Sequence, residues 1–247
     1  MTTLLTDSLP AIGGILVAMA VVAAVEVAIP LHAPGDGAGG RRWTNLGLTL
    51  LTLVLNGLFS APLVLALVWL EGRDGGLLRL WPLSPFAAGT IVVVTLDFGF
   101  YVLHVAMHAM PTLWRFHRVH HADAFVDVTT TIRQHPGETV VRHLVIATVA
   151  VALGVSPATV LWYRVAAAVN GLLEHANVRA PRDLDRVLAL VTTWPHMHKL
   201  HHSRRTRETN TNYGNLFSCF DRLFGTFTPS DRGVAVAYGL DGFDAPA

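Results

Sequence analysis

The sequence predicts an all-α, polytopic membrane protein carrying a histidine-rich helical cap on its cytoplasmic side. Three observations predict it. Hydrophobic residues make up 52% of the 247 residues and charged ones only 14%, with mean hydropathy +0.46, far from the balance of a soluble domain. Runs near the ~20 apolar residues that cross a bilayer as a helix recur along the chain. Finally, of 13 histidines all but His32 follow position 100, and most of them sit at helical spacing.

The first run, residues 11–31, is expected to be a span. A cleaved signal peptide fits less well, because residues 1–10 hold no Lys or Arg and the apolar stretch exceeds a usual signal core. Residues 46–70 and 87–110 are the second and third spans; Asn56 and Pro62 in the second are tolerated where neighbours satisfy freed backbone groups. Residues 139–173 are apolar again but broken at Gly154-Val155-Ser156-Pro157, which predicts a helical hairpin. Arg41 and Arg42 flank the second span, and Arg115, Arg118, Arg133 and Arg142 follow the third. The bias of basic residues puts those sides in the cytoplasm; Arg73 and Arg79 on the opposite loop are accompanied by Glu71 and Asp74. No repeat or linker divides the chain, so residues 1–247 read as one domain with a polar part from about 178 onward.

Net charge near +1 and the lack of a Lys/Arg tract exclude a nucleic-acid partner. The single cysteine, Cys219, excludes an internal disulfide and any cysteine-held metal. Metal ligands must come from other side chains.

His104 and His108 are four apart, which places both rings on one helix face. His117, His120 and His121 form HRVHH, and His198, His201 and His202 repeat the pattern; offsets of three and four again direct rings to a shared side. His175, in LEHAN, is a further candidate between the last two boxes. Nine imidazoles exceed the about four that one zinc takes, so two metals with incomplete shells fit better. Imidazole alone does not choose among iron, zinc, copper and nickel. The Glu and Glu-x-x-His pattern of soluble di-iron bundles is absent. His32 and His143 read as ordinary structural residues, and His196 as an ambiguous neighbour of the third box.

The residues from Leu96 to Phe227 resemble the fatty acid hydroxylase and sterol desaturase superfamily of membrane histidine-box di-iron enzymes. The run LDFGFYVLHVAMHAMPTLWRFHRVHH supplies Asp97, Tyr101, His104, His108, Pro111, Trp114, His117, His120 and His121 of that pattern. TTIRQHPGE supplies Arg133, His135, Pro136 and Glu138, LEHANV His175 and Asn177, and PHMHKLHHS the third box. NYGNLFSCFDRLFGTF supplies Asn212, Tyr213, Gly214, Asp221, Phe224, Gly225 and Thr226, with Phe220 standing where the pattern usually has Trp. The resemblance implies two iron ions held by His104, His108, His117, His120, His121, His175, His198, His201 and His202. It also implies O2 as co-substrate, a lipid substrate, and electrons from NAD(P)H through a cytochrome- or ferredoxin-type partner.

Asp97, Asp123, Asp127, Glu138 and Glu174 are candidates for orienting the ligands. Helix-end capping or solvation is the expectation for Asp123 and Asp127, a buried partner for Asp97, and a solvated or snorkelled position for Glu26. His135 and Asn177 are expected near the site, Tyr101 along its pocket, which spans one to three and the hairpin would build. Arg204, Arg205 and Arg207 could meet anionic lipid or an acidic electron donor, or simply be solvated. A zinc hydrolase would want His-Glu-x-x-His, but Val105 follows His104. A metal transporter would place its ligands near the membrane midplane, and a lipid-binding scaffold would not need the full histidine set.

Overall fold

The structure is a computed structural model that describes residues 2–33, 38–229 and 236–242. Its described part is helical, with two isolated β-bridges and no longer strand. Four helices carry segments long and apolar enough to span a membrane: α1 (Thr2–Ala28), α2 (Ala38–Glu71), α3 (Pro85–Ala109) and α5 (Pro136–Leu153). Their outward side chains are apolar, among them Val17, Leu50, Leu58, Leu65 and Phe86, as a lipid solvent requires. The expected hairpin is α5 followed by α6 (Pro157–His175). α6 carries Arg164, Asn170 and Glu174 and is not among the four apolar spans.

The hairpin turn shows why the sequence breaks there. Gly154 ends α5 in the left-handed region (φ 70°), and Ser156 caps α6 by accepting from the Thr159 amide ahead of Pro157 at the first helical position. A Cβ on Gly154 would stand 2.1 Å from the Gly75 carbonyl oxygen, so the loop after α2 can close on the turn only over glycine. Leu63, Leu67, Val92, Leu96, Ala150, Val160 and Tyr163 fill the core between α2, α3, α5 and α6 at this end.

α2 has 34 residues, or about 50 Å at ~1.5 Å per residue, against an apolar thickness of ~30 Å. Its first turns therefore stand clear of the lipid, beside the short helices that follow α3. These are α4 (Pro111–His121), α7 (Arg182–Leu188), α8 (Pro195–His201), α9 (Thr206–Thr209) and α10 (Cys219–Leu223). The C-terminal ends of α1, α3 and α6 and the N-terminal ends of α2 and α5 all meet this polar layer, opposite the hairpin turn.

Candidate metal centre

The break between α3 and α4 builds the first part of the site. Met110 ends α3 and Pro111 opens α4, so the chain turns sharply and α4 brings its rings back against those of α3. The boxes then divide by helical offset. His104, His108, His117, His121 and His201 each offer a nitrogen to one group, and His120, His175, His198 and His202 to a second. Within each group the nitrogens lie within 4.8 Å of one another. Pairs four apart stay together, His117 with His121 and His198 with His202, while His120 and His201 cross to the other group. The expected sharing at an offset of three thus gives way to division, because three residues turn a helix by about 300° and four by about 400°. Each HxxHH box contributes to both groups.

The ring nitrogens are close enough to compete for one occupant. In the second group the Nε2 of His175 lies 3.0 Å from those of His120 and His198 and 3.2 Å from that of His202. In the first, His117 Nε2 lies 3.0 Å from His104 and 3.1 Å from His121. His175 Nδ1 is 2.7 Å from the Gly171 carbonyl and donates to it, which leaves a lone pair on Nε2. One lone pair cannot accept from three rings. Ligands about 2.0–2.1 Å from one ion stand roughly 3.0–3.4 Å apart, which is the observed separation, so the donor set fits a cation in each group. His108 Nε2 and His201 Nε2 are buried without a partner among the described residues, as inward-facing ligand nitrogens would be. Burial holds His120, His121, His198, His201 and His202 well below the usual imidazole range, in the neutral ligating form.

Outer partners fix the rings of the first group. His104 Nδ1 donates to the Tyr213 carbonyl (2.8 Å), His201 Nδ1 to that of Thr211 (2.8 Å), and His117 Nδ1 to Glu138 (3.1 Å). Asn210 lies 3.1 Å from His108 Nδ1 and Thr209 3.4 Å from His121 Nδ1. Glu138 is itself held by Arg142 at 2.7 Å. Glu174 is buried beside the second group but only approaches it, 3.7 Å from His175 Nδ1 and 3.8 Å from His198 Nε2.

Several expectations need correction. Asp97 is fully buried as expected, yet it touches no histidine; it accepts from the backbone amides of Leu216 and Phe217 at 3.1 and 3.0 Å and anchors the C-terminal loop. Asp123 and Asp127 are not solvated: Arg41 pairs with both, and Asn45 and Thr130 donate to Asp123 at 2.8 and 2.7 Å. Asp127 does cap a short 3-10 turn, Val128–Thr130, as part of a capping box. Glu26 is half-buried rather than free in solvent, since one oxygen accepts from the amides of Val128 and Asn177, both at 2.7 Å.

His135 lies outside both groups; its Nδ1 accepts from the Gly137 amide and caps α5, and its ring stacks on Phe116. Asn177 acts at one remove, exchanging two hydrogen bonds with the backbone of His32. Tyr101 hydrogen-bonds Thr226 (2.9 Å) and lines an apolar groove of about 250 Å3 with Phe98, Val102, Val105 and Phe224. His32, His143 and His196 belong to neither group, and the Nδ1 of His196 instead faces Asp185 at 3.3 Å. Arg204 pairs with Asp241 and Arg205 with Glu208, while Arg207 is exposed. Phe220 packs on Phe98 and Tyr101.

Lys199, like Asn210 and Thr209, is a residue beside the histidine groups that sequence reasoning missed. It is 0% exposed, donates to the carbonyls of Val126 (2.7 Å) and His175 (2.8 Å), and is pushed down to about 7 by burial. The signal was present: a lysine inside a seven-residue helix that also carries His196, His198 and His201 has little solvent face left. Asp221 was noted only as part of a pattern. It accepts from the amides of Tyr213 and Gly214 at 2.7 and 2.9 Å and so sets the carbonyl that orients His104.

The fatty acid hydroxylase family model matches residues 89–226, which include all nine histidines of the two groups. An ornithine lipid hydroxylase of Rhizobium tropici is 32% identical over 165 residues, 66% of this chain and 47% of that one. An alkylglycerol monooxygenase of Caenorhabditis elegans is 28% identical over 144 residues, 58% of this chain and 28% of that one. A cholesterol 25-hydroxylase-like protein of Danio rerio is 28% identical over 193 residues, covering 74% and 71%. The chain thus spans about half of the first relative and under a third of the second. No solved structure matches it.

Proposed function

This chain belongs to the fatty acid hydroxylase family, and on that premise we propose that it is a membrane-bound, non-haem di-iron oxygenase. It would use O2 to hydroxylate or desaturate a C–H bond of a lipid. The observation that carries the reading is the pair of buried imidazole groups, each fed by both HxxHH boxes. His104, His108, His117, His121 and His201 would hold one iron, and His120, His175, His198 and His202 the other. Bound there, the irons would supply the redox chemistry that couples O2 reduction to C–H cleavage, with electrons from NAD(P)H through a cytochrome- or ferredoxin-type partner.

The chain's own residues hold and shield. The five outer partners of the first group fix which nitrogen faces inward, and Glu138 keeps the His117 proton on Nδ1. Burial of every ligand but the half-exposed His108 keeps most bulk water from the two groups. The apolar groove lined by Phe98, Tyr101, Val102, Val105 and Phe224 would receive part of an acyl or isoprenoid chain. The histidines are assigned to the cytoplasmic side by the arginines that surround the span ends there.

Metal analysis with Mössbauer spectroscopy on detergent-purified, iron-replete protein tests this. About two irons per chain, consistent with two imidazole sites, and loss of the second group's iron in His120→Ala are expected. Stoichiometric zinc alone, or no metal, overturns the oxygenase reading and leaves a hydrolase or a lipid-binding scaffold.

A further inference from the structure

His196 is the histidine the metal groups leave over, and its surroundings form a second polar site. Six residues, Leu31, Arg179, Ala180, Pro181, Arg182 and His196, line a cavity of about 490 Å3 where the chain leaves α1. The cavity is built rather than incidental. An isolated bridge joins Pro30 to Val178, and the Arg179 amide donates to the Ile29 carbonyl at 2.9 Å, so the chain leaving α1 and the chain leaving α6 are stitched together there. His196 lies two residues before His198 on α8, about 200° around the helix, and so faces away from the second histidine group.

The lining is cationic and unsatisfied. Arg179 and Arg182 are exposed, and neither has a carboxylate within ion-pair distance among the described residues. His196 is 3% exposed, with Nδ1 turned to Asp185, and its Nε2 is buried without a hydrogen-bond partner among those residues. A buried polar atom left in that condition costs stability unless something fills the place. The surroundings are apolar: Ile29 and Val27 at the end of α1, and Leu184, Val187, Leu190 and Val191 on and after α7, are all exposed. α7 opens on Arg182, pairs its Asp183 with Arg186, turns Asp185 towards His196, and leaves Leu184 and Val187 exposed, so a charged face and an aliphatic face lie on one short helix as in an interfacial segment.

We propose that this cavity binds the anionic headgroup of a membrane lipid, a phosphate or carboxylate, between Arg179, Arg182 and His196. The two guanidinium groups would meet the anion in the forked geometry that arginine makes with such oxygens. With Nδ1 turned to Asp185, His196 Nε2 would accept from a headgroup hydroxyl, such as that of a glycerol headgroup, and the acyl chains would lie along Ile29, Leu184 and Val187. The site is separate from the imidazole groups, so it stands or falls independently of their metal.

Native mass spectrometry of the detergent-purified 247-residue chain, offered dioleoyl phosphatidylglycerol against dioleoyl phosphatidylcholine, tests it without any turnover. Wild type is expected to retain one phosphatidylglycerol in preference. Arg179→Gln with Arg182→Gln should weaken that retention roughly thirtyfold, the order expected for two interfacial arginines against an anionic lipid. Removing the same charge at the other end of the fold, by Arg73→Gln with Arg79→Gln, should leave it intact. If the glutamine pair fails to fold, Arg179→Lys with Arg182→Lys keeps the charge, loses the fork, and should still weaken retention several-fold.

No preference in wild type, or equal loss in both glutamine pairs, overturns the site. So does a preference unchanged in the lysine pair. Displacement of the lipid by inorganic phosphate alone would show a phosphate site in place of a lipid one and would overturn the lipid assignment.

Discussion

The two histidine groups are built from the same boxes but are held differently. In the first, all five Nδ1 atoms have an oxygen partner, drawn from Glu138, Asn210, Thr209 and the carbonyls of Tyr213 and Thr211. In the second, only His175 has one, and the Nδ1 atoms of His120, His198 and His202 are buried without a partner among the described residues. What steadies the second group is one step further back. Lys199 ties the His175 carbonyl to Val126, and Glu26 ties the amides of Asn177 and Val128 together. The first group is therefore oriented ring by ring, and the second through its backbone. Substitutions should separate the two sites if that difference is real.

The largest effect is expected from His175→Ala, because three Nε2 atoms converge on that ring. Iron in the second group should vanish while the first retains its own, giving about one iron per chain and a loss of activity beyond the ~10–100-fold that outer partners cost. Quantitative metal analysis beside single-turnover assays checks this; loss of both irons would mean that the groups are not separable. Next comes Glu138→Gln, which removes the charge behind His117 and should lower iron affinity in the first group by about 10–100-fold. Glu174→Gln is the matched control, its contacts to histidine being 3.7 and 3.8 Å, and should change chelator competition by less than about threefold. Equal effects of the two would erase the contrast.

How legible this was in the sequence depended on the range of the signal. The spans were readable because apolar runs need no knowledge of neighbours, and the hairpin was readable because Gly154 and Ser156-Pro157 are local instructions. The ligand-bearing boxes were readable for the same reason, since helical offset decides which rings share a side. What the sequence hid was every pairing across distance. Asp123 and Asp127 look like residues of a solvated loop until Arg41, 82 and 86 positions away, is brought to them. Asp97 looks like a ligand's partner until the loop at Leu216 and Phe217 folds over it.

Lys199→Met tests the backbone route to the second group. It leaves the buried carbonyls of Val126 and His175 without their donor, at a cost of about 1–3 kcal/mol. Thermal unfolding in detergent should show the loss, together with broadened Mössbauer lines from one iron and not the other. Glu26→Gln should be milder, since the amide oxygen still accepts from Val128 and Asn177. Broadening of both irons by Lys199→Met would show that the second group has no private support.

A further, indirect effect is expected from Phe220→Trp, which installs the residue of the superfamily pattern. Phe220 is 8% exposed against Phe98 and Tyr101, and overpacking there should cost no more than about 1–3 kcal/mol. Its interest lies in the route from there to iron. The Tyr101 hydroxyl bonds Thr226, Thr226 donates to Asp221, Asp221 holds the Tyr213 amide, and the Tyr213 carbonyl orients His104. A larger ring that displaces Tyr101 would therefore disturb the first group alone, because among the described residues no comparable chain of side chains joins Phe220 to His120, His198 or His202. A spectrum in which only the second iron shifts would contradict that route and, with it, the claim that the two groups are supported from different sides of the fold.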